Sequence, residues 1–258
     1  MTTARYAEAA SVSDGWLAAC RILLDIRGHE ATHLVIRMTD PLPEVAEVRS
    51  AADRFMASAG HAAIDEVRNT IFPAAMAERF ADPDELAVEY LEDYELRSSL
   101  AGGQGTYFGR ICEYPQPSGP PTPQLAVVTR RLREAREGTR WRAVYPVNIY
   151  AAHKDQDKKR NYFPCLSHLE FELACGPGSG AKPDRLDCIA LYRNQDITVK
   201  GYGNYLGLAQ LQAYLARATG FLPGELTVIA GHAMMALKTG DAARLETLLA
   251  GRRDVGTA

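Results

Sequence analysis

The chain has 258 residues, 47% of them hydrophobic, 24% charged and 8% aromatic, which is enough to bury a core as one domain or two tightly joined lobes. Lysine and arginine total 29 against 32 aspartate and glutamate, a formal net charge of -3; this argues against a dedicated nucleic-acid or anionic-membrane binder and leaves room for a local anion site. No apolar run approaches the roughly 20 residues of a bilayer span, and the first 13 residues lack the basic and apolar regions of a secretory signal, so the expectation is a cytoplasmic protein with reduced thiols.

Taken in chain order, Trp16, Leu17, Cys20, Leu23 and Leu24 recur at three and four, the spacing of one helical face, and predict a helix over residues 13–27. Residues 33–38 read as a short strand that the prolines at 41 and 43 close. Residues 44–59 and 61–70 read as helices, followed by a helical, solvated region that includes the acidic run 89–95. Residues 101–109 hold four glycines in nine positions and form a loop. That loop lacks both the GxxxxGK[ST] pattern and the strand-turn-helix context of GxGxxG, so it is not read as a phosphate cradle.

Residues 114–123 form a proline-rich connection, and 124–136 read as a helix with Leu125, Val128 and Leu132 on one face. The texture then changes. Segments 143–151, 166–174 and 185–193 predict three strands of one sheet, the last two joined by a turn over 176–184. Residues 205–219 predict a helix stopped by Gly220 and Pro223, with a short strand at 226–231 and a helical tail after it.

The five cysteines, Cys20, Cys112, Cys165, Cys175 and Cys188, include no CxxC pair, so no metal site is expected. Cys165 follows Pro164 at the head of a strand, downstream of Lys154, Lys158, Lys159 and Arg160. Positive charge so close favours a thiolate, although a lone cysteine is more often a buried hydrophobic thiol.

Several segments together resemble the thymidylate synthase family, including the pyrimidine hydroxymethylases. Tyr107-Phe108-Gly109 is similar to the family's "YG" strand, and Thr139-Arg140-Trp141-Arg142 to its SRR segment. Asp157 through Pro164-Cys165 is similar to the approach to the family's nucleophile. Tyr192-Arg193-Asn194-Gln195-Asp196 running to Gly203-Asn204 resembles QRSxDxxxGxPFN, with Asp196 and Asn204 eight positions apart. The run from Thr219 to Leu226, with Gly231, is in register with TGLxPGDLVHTxGDAH, and Ile64-Asp65-Glu66-Val67 is similar to the helix bearing the family's glutamate. Residues 105–236 carry the match; residues 1–100 are a divergent N-terminal part of the same single domain, 1–258.

The resemblance implies an α/β (α+β) protein with a mixed β-sheet flanked by helices. It also implies a methyltransferase or hydroxymethyltransferase acting at C5 of a pyrimidine nucleotide, a homodimer, and 5,10-methylenetetrahydrofolate as one-carbon donor. Cys165 would be the nucleophile, since thiolate addition at C6 turns the unreactive C5 into an enolate carbon. Glu66 and Asp196 complete the implied catalytic set. Asn204 would donate and accept at the base, and Arg193, with Asn194, would hold the phosphate. Arg140 and Arg142 would be donated across a two-fold axis; Tyr107 and His232 join the substrate contacts. Arg37 or Arg27 would stand in for a further phosphate arginine.

The departures matter as well. The family's GDAHIY segment reads Gly231-His232-Ala233-Met234-Met235-Ala236, Leu166 replaces the histidine after the nucleophile, Tyr192 replaces a glutamine, and the family's closing tail is missing. Two other readings follow from them: a non-catalytic nucleotide-binding or scaffold homologue, and a folate-independent C5 exchange or dehalogenation catalyst.

Overall fold

The computed structural model describes residues 5–94, 96, 99, 105–138, 141–156, 164–176 and 182–250. The expectations for residues 101–104, for the turn at 177–181, for Arg140 and for the approach 157–163 fall outside them.

The protein is mixed α/β. Its sheet has strands β1 (Tyr6–Ala9), β2 (Glu30–Met38), β3 (Tyr145–Asn148), β4 (Leu166–Ala174), β5 (Arg185–Tyr192), β6 (Gln195–Asp196) and β7 (Leu222–Met234). They lie in the order β1-β2-β7-β5-β4-β3, with β6 also on β7. The expected three-strand meander is present, as β3, β4 and β5 pair antiparallel in sequence. The rest of the sheet comes from distant segments: β7 runs parallel to β5 and antiparallel to β2, and β1 lies parallel to β2. β1 and β6 were not expected, and the strands read at 33–38 and 226–231 extend to Glu30–Met38 and Leu222–Met234, because each finds a partner along its added length.

The helices are α1 (Val12–Leu24), α2 (Ala46–Ala59), α3 (Ile64–Asn69), α4 (Ala74–Ala77), α5 (Pro83–Glu92), α6 (Tyr107–Cys112), α7 (Gln124–Glu137), α8 (Ala152–Asp155), α9 (Tyr202–Thr219) and α10 (Asp241–Ala250). Tyr107-Phe108-Gly109 is therefore the start of a helix, not a strand: Thr106 caps it through Gly109 N–H, at 3.1 Å, and Phe108 N–H donates to the Thr70 carbonyl. No helix among the described residues is long and apolar enough to cross a membrane.

α9 is buried almost all round, as befits a central helix. It lies on the sheet through β7 and β5, and Gln212 on its inner side donates to the carbonyls of Leu186 and Glu225 at 2.7 and 3.0 Å. A five-residue π-helical turn, Ile197–Gly201, leads into it, fastened by Trp16 Nε1–H to the Ile197 carbonyl at 2.8 Å. α3 packs against α9 because Gly203 leaves room: a Cβ there would stand 2.6 Å from both the Ile64 carbonyl oxygen and Val67 Cβ. Gly203→Ala is expected to push α3 away and cost about 1–3 kcal/mol, read as a lower urea midpoint with an unchanged slope.

The helices cover one face of the sheet. On β2, β3, β4, β5 and β7 the side chains that alternate away from the core are half-buried or exposed, never buried. The expected mixed sheet with helices against it is present, and among the described residues the helices lie on one side of it. Arg37 lies on the uncovered face, paired with Glu225 at 2.8 Å and Glu8 at 2.7 Å.

Candidate functional site

The geometry begins with a break in a strand. β5 follows β7 as far as the Tyr192–Ala230 pair, and β6 resumes at Gln195–Ala233. Arg193 and Asn194 occupy the gap, where His232 N–H donates to the Arg193 carbonyl at 3.1 Å. Because β4 and β5 are antiparallel with Leu166 opposite Tyr192, the residue just before β4 meets the residue just after β5. Arg193 N–H donates to the Cys165 carbonyl at 2.9 Å, its Nε donates to the Pro164 carbonyl at 3.0 Å, and its Nη2 stands 4.0 Å from Cys165 Sγ.

Cys165 is the half-buried one of the five thiols. Cys20, Cys112 and Cys188 are buried, and burial pushes all three thiols up, while Cys175 is exposed near the far end of β4. The Cys165 sulfur is thus half-buried, with the Arg193 guanidinium beside it.

Tyr107 brings a third group. Its hydroxyl lies 3.5 Å from the Leu166 N–H. Burial, and after it the neighbouring Cys165, pushes the phenol up to about 12, so at neutral pH it is a hydrogen-bond donor and not a base. Beneath it Tyr192 is fully buried, its hydroxyl without a partner; burial, with Tyr107, Tyr205 and Cys165 nearby, raises it well above the ordinary phenol range. The Tyr205 hydroxyl and both amide atoms of Gln195 are also buried and unpartnered among the described residues. Orphaned polar atoms are uncommon in a protein interior. The sequence flagged Tyr192 only as a departure from the family, and gave no sign of Tyr205 or Gln195.

Asn204 is 5% exposed on the first turns of α9, and its amide makes no hydrogen bond to another described residue. Asn194 and His232 are joined to each other, Oδ1 to Nδ1 at 2.6 Å, across the strand break.

Glu66 and Asp196 lie apart from Cys165 and Arg193. Glu66 is exposed on α3, on the side away from Ile64 and Val67, which are buried. The Asp196 carboxylate accepts from Val199 N–H at 3.1 Å and also from the Thr198 and Ala236 amides; burial raises it above the usual carboxylate range against those bonds. Its position is that of a cap on the π-helical turn. Arg142 holds the far end of β4, where its carbonyl accepts from Leu173 N–H, at 3.1 Å, about 26 Å along the strand from Cys165. There it lines a shallow pocket with Arg136, Lys182 and Phe221. Arg140 lies outside the described residues. Among those residues no three His, Cys, Asp or Glu side chains group to hold a metal ion.

No family model matches the chain, and no curated protein matches it. The resemblance to thymidylate synthase therefore stands on the residues themselves.

Proposed function

We propose that this protein transfers a one-carbon group, methyl or hydroxymethyl, to C5 of a pyrimidine nucleotide through a Cys165 adduct, as a specialised relative of thymidylate synthase. The observation that carries the reading is the Cys165–Arg193 pair at 4.0 Å, with the Tyr107 hydroxyl beside it. Together these are a reachable sulfur, a fixed positive charge and a neutral donor.

In this reading the Cys165 thiolate adds to C6 and electron density moves onto C5 and O4. Asn204, 5% exposed on α9, would supply a donor for the charge developing at O4 and an acceptor for N3–H. Arg193 serves the sulfur turn, and the phosphate lies at the same strand break against Asn194. Methylenetetrahydrofolate is the donor that the resemblance implies, and it would supply the electrophilic carbon. Among the described residues the Asp196 carboxylate is engaged by backbone amides and Glu66 is exposed, so neither is assigned to the donor. What the chain's own residues support is the first half of the reaction, activation of C5, which is visible as exchange of the C5 hydrogen.

The test is release of tritium from 5-tritiated dUMP, UMP, dCMP and CMP, with and without methylenetetrahydrofolate. Release from one of the four is the expected result, and its folate dependence separates transfer from simple exchange. Tight binding of a nucleotide with no release would sink the catalytic reading and leave the non-catalytic homologue.

The homodimer belongs to the same proposal and has its own support. On the uncovered face Val35, Ile229 and Leu191 stand side by side on β2, β7 and β5, an apolar row across three adjacent strands, with Leu191 41% exposed. A second copy laid face to face would bury that row twice. Sedimentation equilibrium is expected to give twice the chain mass of 28.2 kDa, and Ile229→Lys to give the monomer with an unchanged far-ultraviolet spectrum. A wild-type monomer at all concentrations would refute the pairing.

A further inference from the structure

At the far end of β4, about 26 Å along the strand from Cys165, three cations from three chain segments converge. Arg136 in the last turn of α7, Arg142 before β3 and Lys182 before β5 line one shallow pocket, together with Leu173, Pro183 and Phe221. Its open space, mouth included, is about 280 Å³. The three apolar residues are buried and the three cations are exposed, so positive charge surrounds an apolar floor.

The Arg136 guanidinium lies over the Phe221 ring, 5.5 Å from its centre. Arg142 Nη2 stands 3.9 Å from Cys175 Sγ, a contact that uses little of a guanidinium's five donors. No carboxylate lines the pocket, and among the described residues none pairs with these three cations. The acids nearest in sequence are turned elsewhere: Asp184 Oδ1 accepts from Gly176 N–H at 2.7 Å, and Glu172 alternates to the other face of β4 from Leu173. Glu137 is exposed at the end of α7. A helix C-terminus accounts for one cation, Arg136. It does not account for Arg142 and Lys182, whose charges raise the local potential further.

We propose that this pocket binds a small phosphate monoester carrying one flat apolar group, with the dianion among Arg136, Arg142 and Lys182 and the group against Phe221 and Leu173. Each guanidinium can meet two oxygens of a tetrahedral anion at once, and Lys182 adds a point charge. The open space is below the range of drug-sized sites, which is why a single ring is the fitting size. The site is remote from Cys165 and does not rest on the reaction proposed there.

Phenyl phosphate is the probe, titrated into the wild-type protein by calorimetry beside inorganic phosphate and benzenesulfonate. One saturable site is expected, with phenyl phosphate bound about tenfold more tightly than either comparison anion. Inorganic phosphate lacks the ring, and benzenesulfonate lacks the second charge. Arg136→Gln and Lys182→Gln should each weaken phenyl phosphate by about 5–10-fold, with an unchanged far-ultraviolet spectrum because both side chains are exposed.

A second measurement needs no variant. In the wild-type amide spectrum, phenyl phosphate should shift the resonances of Leu173 and Phe221 most. Shifts centred on Arg193 and Asn194 instead would put the anion at the strand break and overturn the proposal. Affinities that neither variant changes, or equal binding of all three anions without saturation, would overturn it as well. Failure of tritium release with this binding intact would remove the catalytic reading and leave the pocket standing, and release without this binding would do the reverse.

Discussion

If the proposed reaction holds, Cys165→Ala is expected to abolish release of tritium from C5, by about 10⁴-fold or more, as removal of an attacking atom does in covalent enzymes. The reason is specific to the group. Without addition at C6 no enolate forms, and the remaining side chains have nothing to stabilise. Nucleotide affinity should change little, because in the proposed reaction Cys165 is the reacting atom and not a binding contact. The structure also sets a control: Cys175→Ala removes an exposed thiol near the far end of β4 and should leave release unchanged. Equal losses in both variants would mean that the thiols matter for stability or oxidation, and the adduct would have to be abandoned. Arg193→Lys is expected to fall between, since a lysine keeps the charge near the sulfur but cannot hold the Pro164 carbonyl and face the sulfur with one planar group.

Asp155→Ala is expected to be the most destabilising single change, by about 3–5 kcal/mol. Asp155 is fully buried, and Arg110 grips both of its oxygens while also donating to the Ile149 carbonyl, at 2.7 Å. The same carboxylate accepts from Ala151 N–H at 2.9 Å. Removing it leaves a guanidinium in a nearly dry site with its charge unmatched. For a chain of this size the melting temperature should fall by about 6–20 °C. Arg110→Met combined with Asp155→Leu removes both charges and should recover most of the loss, because the cost lies in the orphaned partner more than in the lost pair. A double variant as unstable as the single one would mean that the backbone contacts, not the charge, hold the segment. That segment leads toward Cys165, so the single variant should be assayed below its new melting point.

Local pattern was enough for the regular elements. The three-and-four spacing of Trp16, Leu17, Cys20, Leu23 and Leu24 produced α1, and the alternation of Leu169, Phe171 and Leu173 produced β4, since such periods state directly which face is buried. Asp196 could have been read as a cap from the same kind of evidence, an aspartate three residues before the amide it accepts from. Its eight-residue spacing from Asn204 pointed instead to catalysis.

The meeting of Cys165 and Arg193 was half legible. Two adjacent antiparallel strands must bring the residue before one beside the residue after the other once the turn between them is placed, and the family resemblance chose the pair. Glu66 shows the opposite case. Its helix was expected and is present, but only the packing of Ile64 and Val67 on α9 decides that the carboxylate faces solvent.

Sequence by itself therefore determined the chain's helical and strand faces, the β3–β4–β5 meander and a thiol worth testing. Tertiary structure alone decided that β7 lies between β2 and β5, that the helices gather on one side of the sheet, and that His232 meets Asn194 and Glu30. The physical reason is one of range. Periodicity is carried by neighbours a few residues apart, whereas strand order and side-chain triads join residues up to two hundred positions apart, and these are selected by the burial of the whole core rather than by any local preference.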